Sequence, residues 1–236
     1  MGEGEGICGG ELKHRSMPTC EVYNIDCMEY MATVPDGYFD IAIVDPPYGL
    51  APKSTQGSGK LKGRCLNRGN IQQWDVAPPE EYFRELRRVS KNQIIWGGNY
   101  FPLPPTRCFI VWDKQQVWEN FSQCEMAWTS YNKPAKLVTI PNRGGHRDAN
   151  KFHPTQKPVE LYAYILSTFG IGGGKILDTH LGSGSSRIAA YKMGFDFVGC
   201  EINEEYFRLA DERFRRECLG EVKLNNSQTL VQGSLF

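Results

Sequence analysis

The sequence has no cysteine pair spaced as CxxC, and its four histidines, His14, His146, His153 and His180, are too scattered to complete a zinc pattern, so no structural metal is expected. There is no run of about 18 apolar residues, so no transmembrane helix is expected. The first 19 residues are polar and glycine-rich without an apolar h-region, which argues against a secretory signal and reads as a flexible tail. With no export signal, the eight cysteines read as reduced thiols of a cytoplasmic protein rather than as disulfides. Excess charge is missing too: 27 basic side chains balance 27 acidic ones. Taken as a bare sum, that balance argues against a nucleic-acid partner. What is present, 236 residues with 40% apolar usage, suffices for one globular domain with its own core.

Short apolar runs alternate with amphipathic segments. Glu21 to Asp26, Asp40 to Asp45, Gln93 to Trp96, Cys108 to Trp112, Lys175 to Asp178 and Phe197 to Glu201 read as strands, with Gln123 to Tyr131 a further candidate. Between them, a helix opens at Pro78-Pro79-Glu80-Glu81 and closes on Arg87, Arg88 and Lys91, as the helix dipole favours. Pro158 to Phe169 is amphipathic, and Asn203 caps a helix carrying Tyr206, Ala210, Phe214 and Cys218. This alternation predicts an α/β fold, a doubly wound and mostly parallel sheet. A single catalytic domain is expected over 20–222, with a C-terminal tail over 223–236. Two polar, glycine-rich segments, 50–76 and 132–157, read as long loops of the functional kind.

Two constellations carry chemistry. In Leu177-Asp178-Thr179-His180-Leu181-Gly182-Ser183-Gly184-Ser185, a strand runs through a glycine turn into a helix, where backbone approaches a ligand closely and N–H groups face an anion. Glu201 ends the next strand, where a carboxylate can accept both ribose hydroxyls. Arg187 stands where a dinucleotide site would place its third small residue, which disfavours a nicotinamide cofactor. The second constellation, Asp45-Pro46-Pro47-Tyr48, follows a buried strand; its two prolines make a rigid turn presenting a carboxylate, a carbonyl and an aromatic ring. That set suits an exocyclic aromatic amine, a poor nucleophile while its lone pair is delocalised. Asp45 and the Pro46 carbonyl, accepting both N–H hydrogens, would draw the nitrogen toward tetrahedral geometry, with Tyr48 stacked on the base.

Asp45-Pro46-Pro47-Tyr48 together with the Asp178…Gly182-Ser183-Gly184 loop resembles the S-adenosylmethionine-dependent DNA methyltransferases that modify exocyclic amines. The catalytic motif precedes the cofactor loop, as in the circularly permuted β group, so the resemblance implies a seven-stranded Rossmann-like methyltransferase sheet. It also implies that Asp26 and Cys27 approach the cofactor adenine and that His153, Thr155 and Lys157 help hold its methionine end. With Asp178, Gly182, Ser183, Gly184, Ser185 and Glu201, these complete the expected cofactor site. Asp at position 45 points within that family to adenine N6 in double-stranded DNA, the target flipped out of the helix. Cytosine-N4, RNA adenine or a catalytically silent binding subunit remain alternatives. The family implies a bacterial or phage-encoded, cytoplasmic, nucleoid-associated enzyme of restriction–modification or related DNA modification, as monomer or homodimer.

The location of charge then revises the reading of the net charge. Lys53, Lys60, Lys62, Arg64 and Arg68 make 51–70 locally +5, and six cations including Arg143, Arg147 and Lys151, against Asp148, make 132–158 another +5. Both flank the proposed site and are expected to contact phosphates. Finally, Gln232, Leu235 and Phe236 at the chain end resemble the peptide by which bacterial DNA-processing proteins dock on the sliding clamp.

Overall fold

The computed structural model describes residues 17–50, 75–116, 122–142, 152–153, 155–223 and 229–231. Its order is β1 (Cys20–Tyr23), α1 (Cys27–Ala32), β2 (Ile41–Val44), α2 (Glu80–Val89), β3 (Gln93–Trp96), a 3-10 turn (Gly98–Tyr100), β4 (Phe109–Asp113), β5 (Cys124–Thr129) and β6 (Lys136–Thr139). It continues with α3 (Val159–Phe169), β7 (Lys175–Asp178), α4 (Ser185–Lys192), β8 (Asp196–Cys200), α5 (Glu204–Cys218), β9 (Glu221–Lys223) and β10 (Thr229–Val231).

Eight strands form one sheet in the order β1-β8-β7-β2-β3-β5-β4-β6. The pairings from β1 through β3 are all parallel; β5 runs antiparallel to both β3 and β4, and β6 returns parallel to β4. The expected mostly parallel, doubly wound sheet is therefore present, with eight strands where seven were expected. The additional edge strand, β6, lies in the segment read as a loop. Its Lys136-Leu137-Val138-Thr139 alternation buries Val138 and leaves Leu137 exposed, four residues being too few to stand out as a period in the sequence. Likewise β10 pairs antiparallel with β9, so part of the segment read as a tail is paired.

β2 shows how the sequence divides the core. Ile41-Ala42-Ile43-Val44 is buried on both faces, as a central strand of a covered parallel sheet must be. Because successive side chains point to opposite faces, Ile41 and Ile43 join one apolar cluster with α3 and α4, while Ala42 and Val44 join another with α1 and α2. The helices present matching stripes: Tyr82, Phe83, Leu86 and Val89 of α2, and Leu161, Tyr162, Ile165, Leu166 and Phe169 of α3. Asp26 caps α1 by accepting from Met28 N at 2.8 Å, and Asn203 caps α5 by accepting from Tyr206 N at 3.0 Å.

The chain leaves β7 into α4 on one face and reaches α2 beyond β2 on the other. A crevice opens where neighbouring strands send their connections to opposite sides, so ligands are expected at the carboxyl ends of β7 and β2.

Candidate active site

A cavity of about 540 Å³ lies at that crevice. Ile25, Asp26 and Cys27 line it after β1, Asp45, Pro46, Pro47 and Tyr48 after β2, Gly182, Ser183 and Ser185 after β7, and Glu201 after β8. His153, Thr155 and Lys157 enter from the segment before α3. Thirteen of the fifteen catalytic and cofactor residues expected from sequence thus share one cavity; Asp178 and Gly184 are not among those lining it. The expected phosphate-contacting residues Lys53, Lys60, Lys62, Arg64, Arg68, Arg143, Arg147 and Lys151, and the terminal Gln232, Leu235 and Phe236, lie outside the described residues.

Asp45 is held from both sides. Its Oδ1 accepts from the Tyr48 hydroxyl at 2.7 Å, and its Oδ2 from the Lys157 ammonium. Lys157, buried at the end of its segment, also lies 3.1 Å from Glu125 Oε2 on β5, whose other oxygen pairs with Lys114. Four charges therefore alternate, Asp45, Lys157, Glu125 and Lys114, and sum to zero in a place where one unpaired charge would be costly. Burial alone would pull the Lys157 ammonium down, but Asp45 and Glu125 outweigh it and hold it above its ordinary value. Burial likewise opposes ionisation of Glu125, and the two lysines overcome it, keeping that carboxyl well below its usual range. Glu125 and Lys114 were not singled out from the sequence.

Tyr48 is placed by glycine. Gly97 follows β3 at φ 67°, and a Cβ there would fall 2.2 Å from Tyr48 Cε1, so the ring occupies space that any other residue would fill. Tyr48 stacks with Tyr100, centroids 5.1 Å apart and planes 27° apart, and meets Phe101 edge-on. The segment after β3 thus walls the Asp45–Tyr48 turn.

The glycine loop is pinned from beneath. Asp178 is 2% exposed; its Oδ1 accepts from His180 N at 3.0 Å and its Oδ2 from the Ser186 hydroxyl. Burial pushes its carboxyl up to about 7, against the pull of those two donors. Gly182 (φ 51°) faces the cavity with the His153 ring 3.4 Å from where its Cβ would stand, while Gly184 (φ 72°) turns toward Ala210 of α5. Arg213 of α5, another residue the sequence reading did not single out, donates to Ser183 O at 3.0 Å and to Ser185 Oγ at 2.9 Å. Glu201 closes the loop, accepting from Gly182 N at 2.8 Å and from Asn203 N at 2.9 Å, and burial raises its carboxyl.

The lining fits a nucleoside joined to an amino acid. It offers carboxylates for hydroxyl and ammonium groups, a third ammonium proton on Lys157 for a carboxylate, and Gln156 Oε1, buried without a hydrogen-bond partner among the described residues. Among the described residues no group of His, Cys, Asp and Glu could hold a metal, and no helix is long and apolar enough to cross a membrane.

Comparison with known proteins agrees with this architecture. The family model described as DNA methylase matches residues 110–212. The chain is 24% identical over 207 residues to YubD, a candidate methylase of Escherichia coli (strain K12), covering 80% of this chain and 87% of that protein. Among solved structures, PvuII DNA methyltransferase (cytosine-N4-specific) superposes with a TM-score of 0.58 at 15% identity, over 84% of this chain and 87% of that one. M1.HpyAVI, solved with SAM, superposes with a TM-score of 0.53 at 20% identity, over 82% of this chain and 98% of that one. At such identities the two superpositions establish the fold alone.

Proposed function

We propose that this chain, a member of the DNA methylase family that modifies N6 or N4 amines with S-adenosylmethionine, methylates adenine N6 in duplex DNA. The observation that carries the reading is Asp45 at the rim of the cofactor crevice, set in a rigid Pro46-Pro47 turn with Tyr48 beside it.

When bound, the cofactor supplies an electrophilic methyl group. Glu201 is placed to take the ribose hydroxyls, Asp26 and Cys27 to border the adenine, and His153, Thr155 and Lys157 to hold the amino-acid end. Each oxygen of Asp45 has two lone pairs, so the Tyr48 and Lys157 contacts leave capacity for the N–H groups of an incoming amine. Asp45 and the Pro46 carbonyl accept those hydrogens, concentrate the lone pair on nitrogen, and Asp45 can take the proton the amine sheds. The work is positioning and electrostatics. A base leaving the duplex loses its stack, at a cost of about a few kcal/mol, and the Tyr48–Tyr100 platform offers a replacement. The basic segments 51–70 and 132–158 supply phosphate contacts, and residues 232–236 a clamp-docking peptide that brings the enzyme to DNA.

The test is nucleoside analysis by mass spectrometry of duplex DNA incubated with the protein and S-adenosylmethionine. N6-methyldeoxyadenosine is expected; N4-methyldeoxycytidine as the product would replace the adenine assignment, and no methylated nucleoside would refute the activity.

A further inference from the structure

The side chains of Thr179 and His180 in the glycine loop take no part in the contacts described so far, and His180 is the one that lies toward the turn. It lines the cavity two residues after Asp178, with its ring edge-on to Tyr82 at 5.5 Å. Its Nδ1 lies 2.9 Å from Thr179 Oγ1, and Thr179 Oγ1 lies 2.6 Å from the hydroxyl of Tyr82 on α2. The direction of this chain follows from proton accounting. Tyr82 is 1% exposed, and among the described residues Thr179 Oγ1 is the one partner of its hydroxyl, so a buried O–H finds its acceptor there. Thr179, accepting that hydrogen bond on a lone pair, donates its own O–H to Nδ1 of His180. A neutral imidazole that accepts at Nδ1 carries its hydrogen on Nε2. Among the described residues Nε2 has no hydrogen-bond partner.

We propose that His180 is a binding residue for the cofactor, donating from Nε2–H to one of its acceptor atoms, with the tautomer set by the buried relay Tyr82–Thr179–His180. This rests on the reading of the cavity as the S-adenosylmethionine site. Neutrality matters because that cofactor carries a sulfonium cation, beside which an imidazolium would be repelled. Burial pulls the His180 pKa down to about 4 against the opposing carboxylate of Asp26, so the ring is an uncharged donor at neutral pH.

The relay can be read without turnover. In nitrogen-15 spectra of the full chain, His180 is expected to show an unprotonated Nδ1 and a protonated Nε2 at pH 7, and the Nε2 resonance should move on titration with S-adenosylmethionine. Thr179→Val removes the acceptor and donor between Tyr82 and His180 and should mix the two tautomers. His180→Phe keeps a ring of similar size and should raise the calorimetric Kd for S-adenosylmethionine about fivefold, the loss of one neutral hydrogen bond. Should His180→Phe unfold, Tyr82→Phe, which deletes only the first proton of the relay, gives the same readouts. An Nδ1–H tautomer in the parent chain, or Kd values unchanged in both His180→Phe and Thr179→Val, would overturn the proposal. Failure of the parent chain to bind S-adenosylmethionine at all would instead refute the cofactor reading, and the proposal with it.

Discussion

Asp45 and Asp178 end neighbouring strands of one sheet, and their surroundings could hardly differ more. Asp45 faces the cavity, with an ammonium on one oxygen and a phenol on the other, inside a ladder of four alternating charges. Asp178 lies beneath the cavity with only neutral partners, a serine hydroxyl and a backbone N–H, and burial lifts its carboxyl to about 7. The same side chain thus stands in two settings: ion-paired at the cavity wall after one strand, a pin for a tight turn at the end of the next. A carboxylate's role follows from what faces it, which an isolated Asp in a sequence does not reveal.

The largest way to break this comparison is Asp45→Asn. The amide keeps the turn but replaces one acceptor oxygen with a donor, so methyl transfer is expected to fall by about 10² to 10³ while S-adenosylmethionine binding changes little. Glu125→Gln comes next. It leaves Lys114 and Lys157 sharing one carboxylate fewer, and a denaturant titration should show a loss of about 3 kcal/mol, as for a broken buried ion pair. Activity should fall as well, because Lys157 is then drawn to Asp45 alone.

The pin gives an effect of opposite sign. Asp178 has a folded pKa raised above its unfolded value, so between about pH 4 and 7 the folded chain holds a proton that the unfolded chain releases, and stability falls across that window as pH rises. His180, depressed to about 4 from an ordinary 6.5, acts the other way over pH 4 to 6.5. The two oppose each other over that range, so the parent chain reads their difference and substitution isolates the Asp178 contribution. Asp178→Asn removes it, and unfolding at pH 8 should show a gain on the order of 1–3 kcal/mol over the parent chain. The smallest effect belongs to Tyr100→Ala, which removes the stacked neighbour of Tyr48 and should raise KM for DNA several-fold, about 1 kcal/mol of aromatic contact, with kcat little changed.

What the sequence made legible was local. The Asp45–Tyr48 turn, the glycine loop, Glu201 and the Asp26 cap each sit within a few residues of a strand end, where composition and spacing speak directly. What it hid was joined across the fold. Lys157 meets Asp45 from 112 positions away, and Tyr82 meets Thr179 from 97. Glu125 sits in a strand candidate of unremarkable composition, and only its antiparallel place beside β3 carries it to Lys157. Asp178 begins the glycine motif and is expected from it to serve the cofactor; it does not line the cavity and accepts from the Ser186 hydroxyl and the His180 amide. β6 escaped notice because four residues with one buried position carry little periodicity.

The measurement that bears most directly on the central contrast is single-turnover methyl transfer to one duplex by Asp45→Asn and Asp178→Asn, with S-adenosylmethionine saturating. Asp45→Asn should lose the step while still binding cofactor, and Asp178→Asn should retain it within a few-fold. Transfer that survives in Asp45→Asn, or vanishes in a folded and cofactor-saturated Asp178→Asn, would contradict the account.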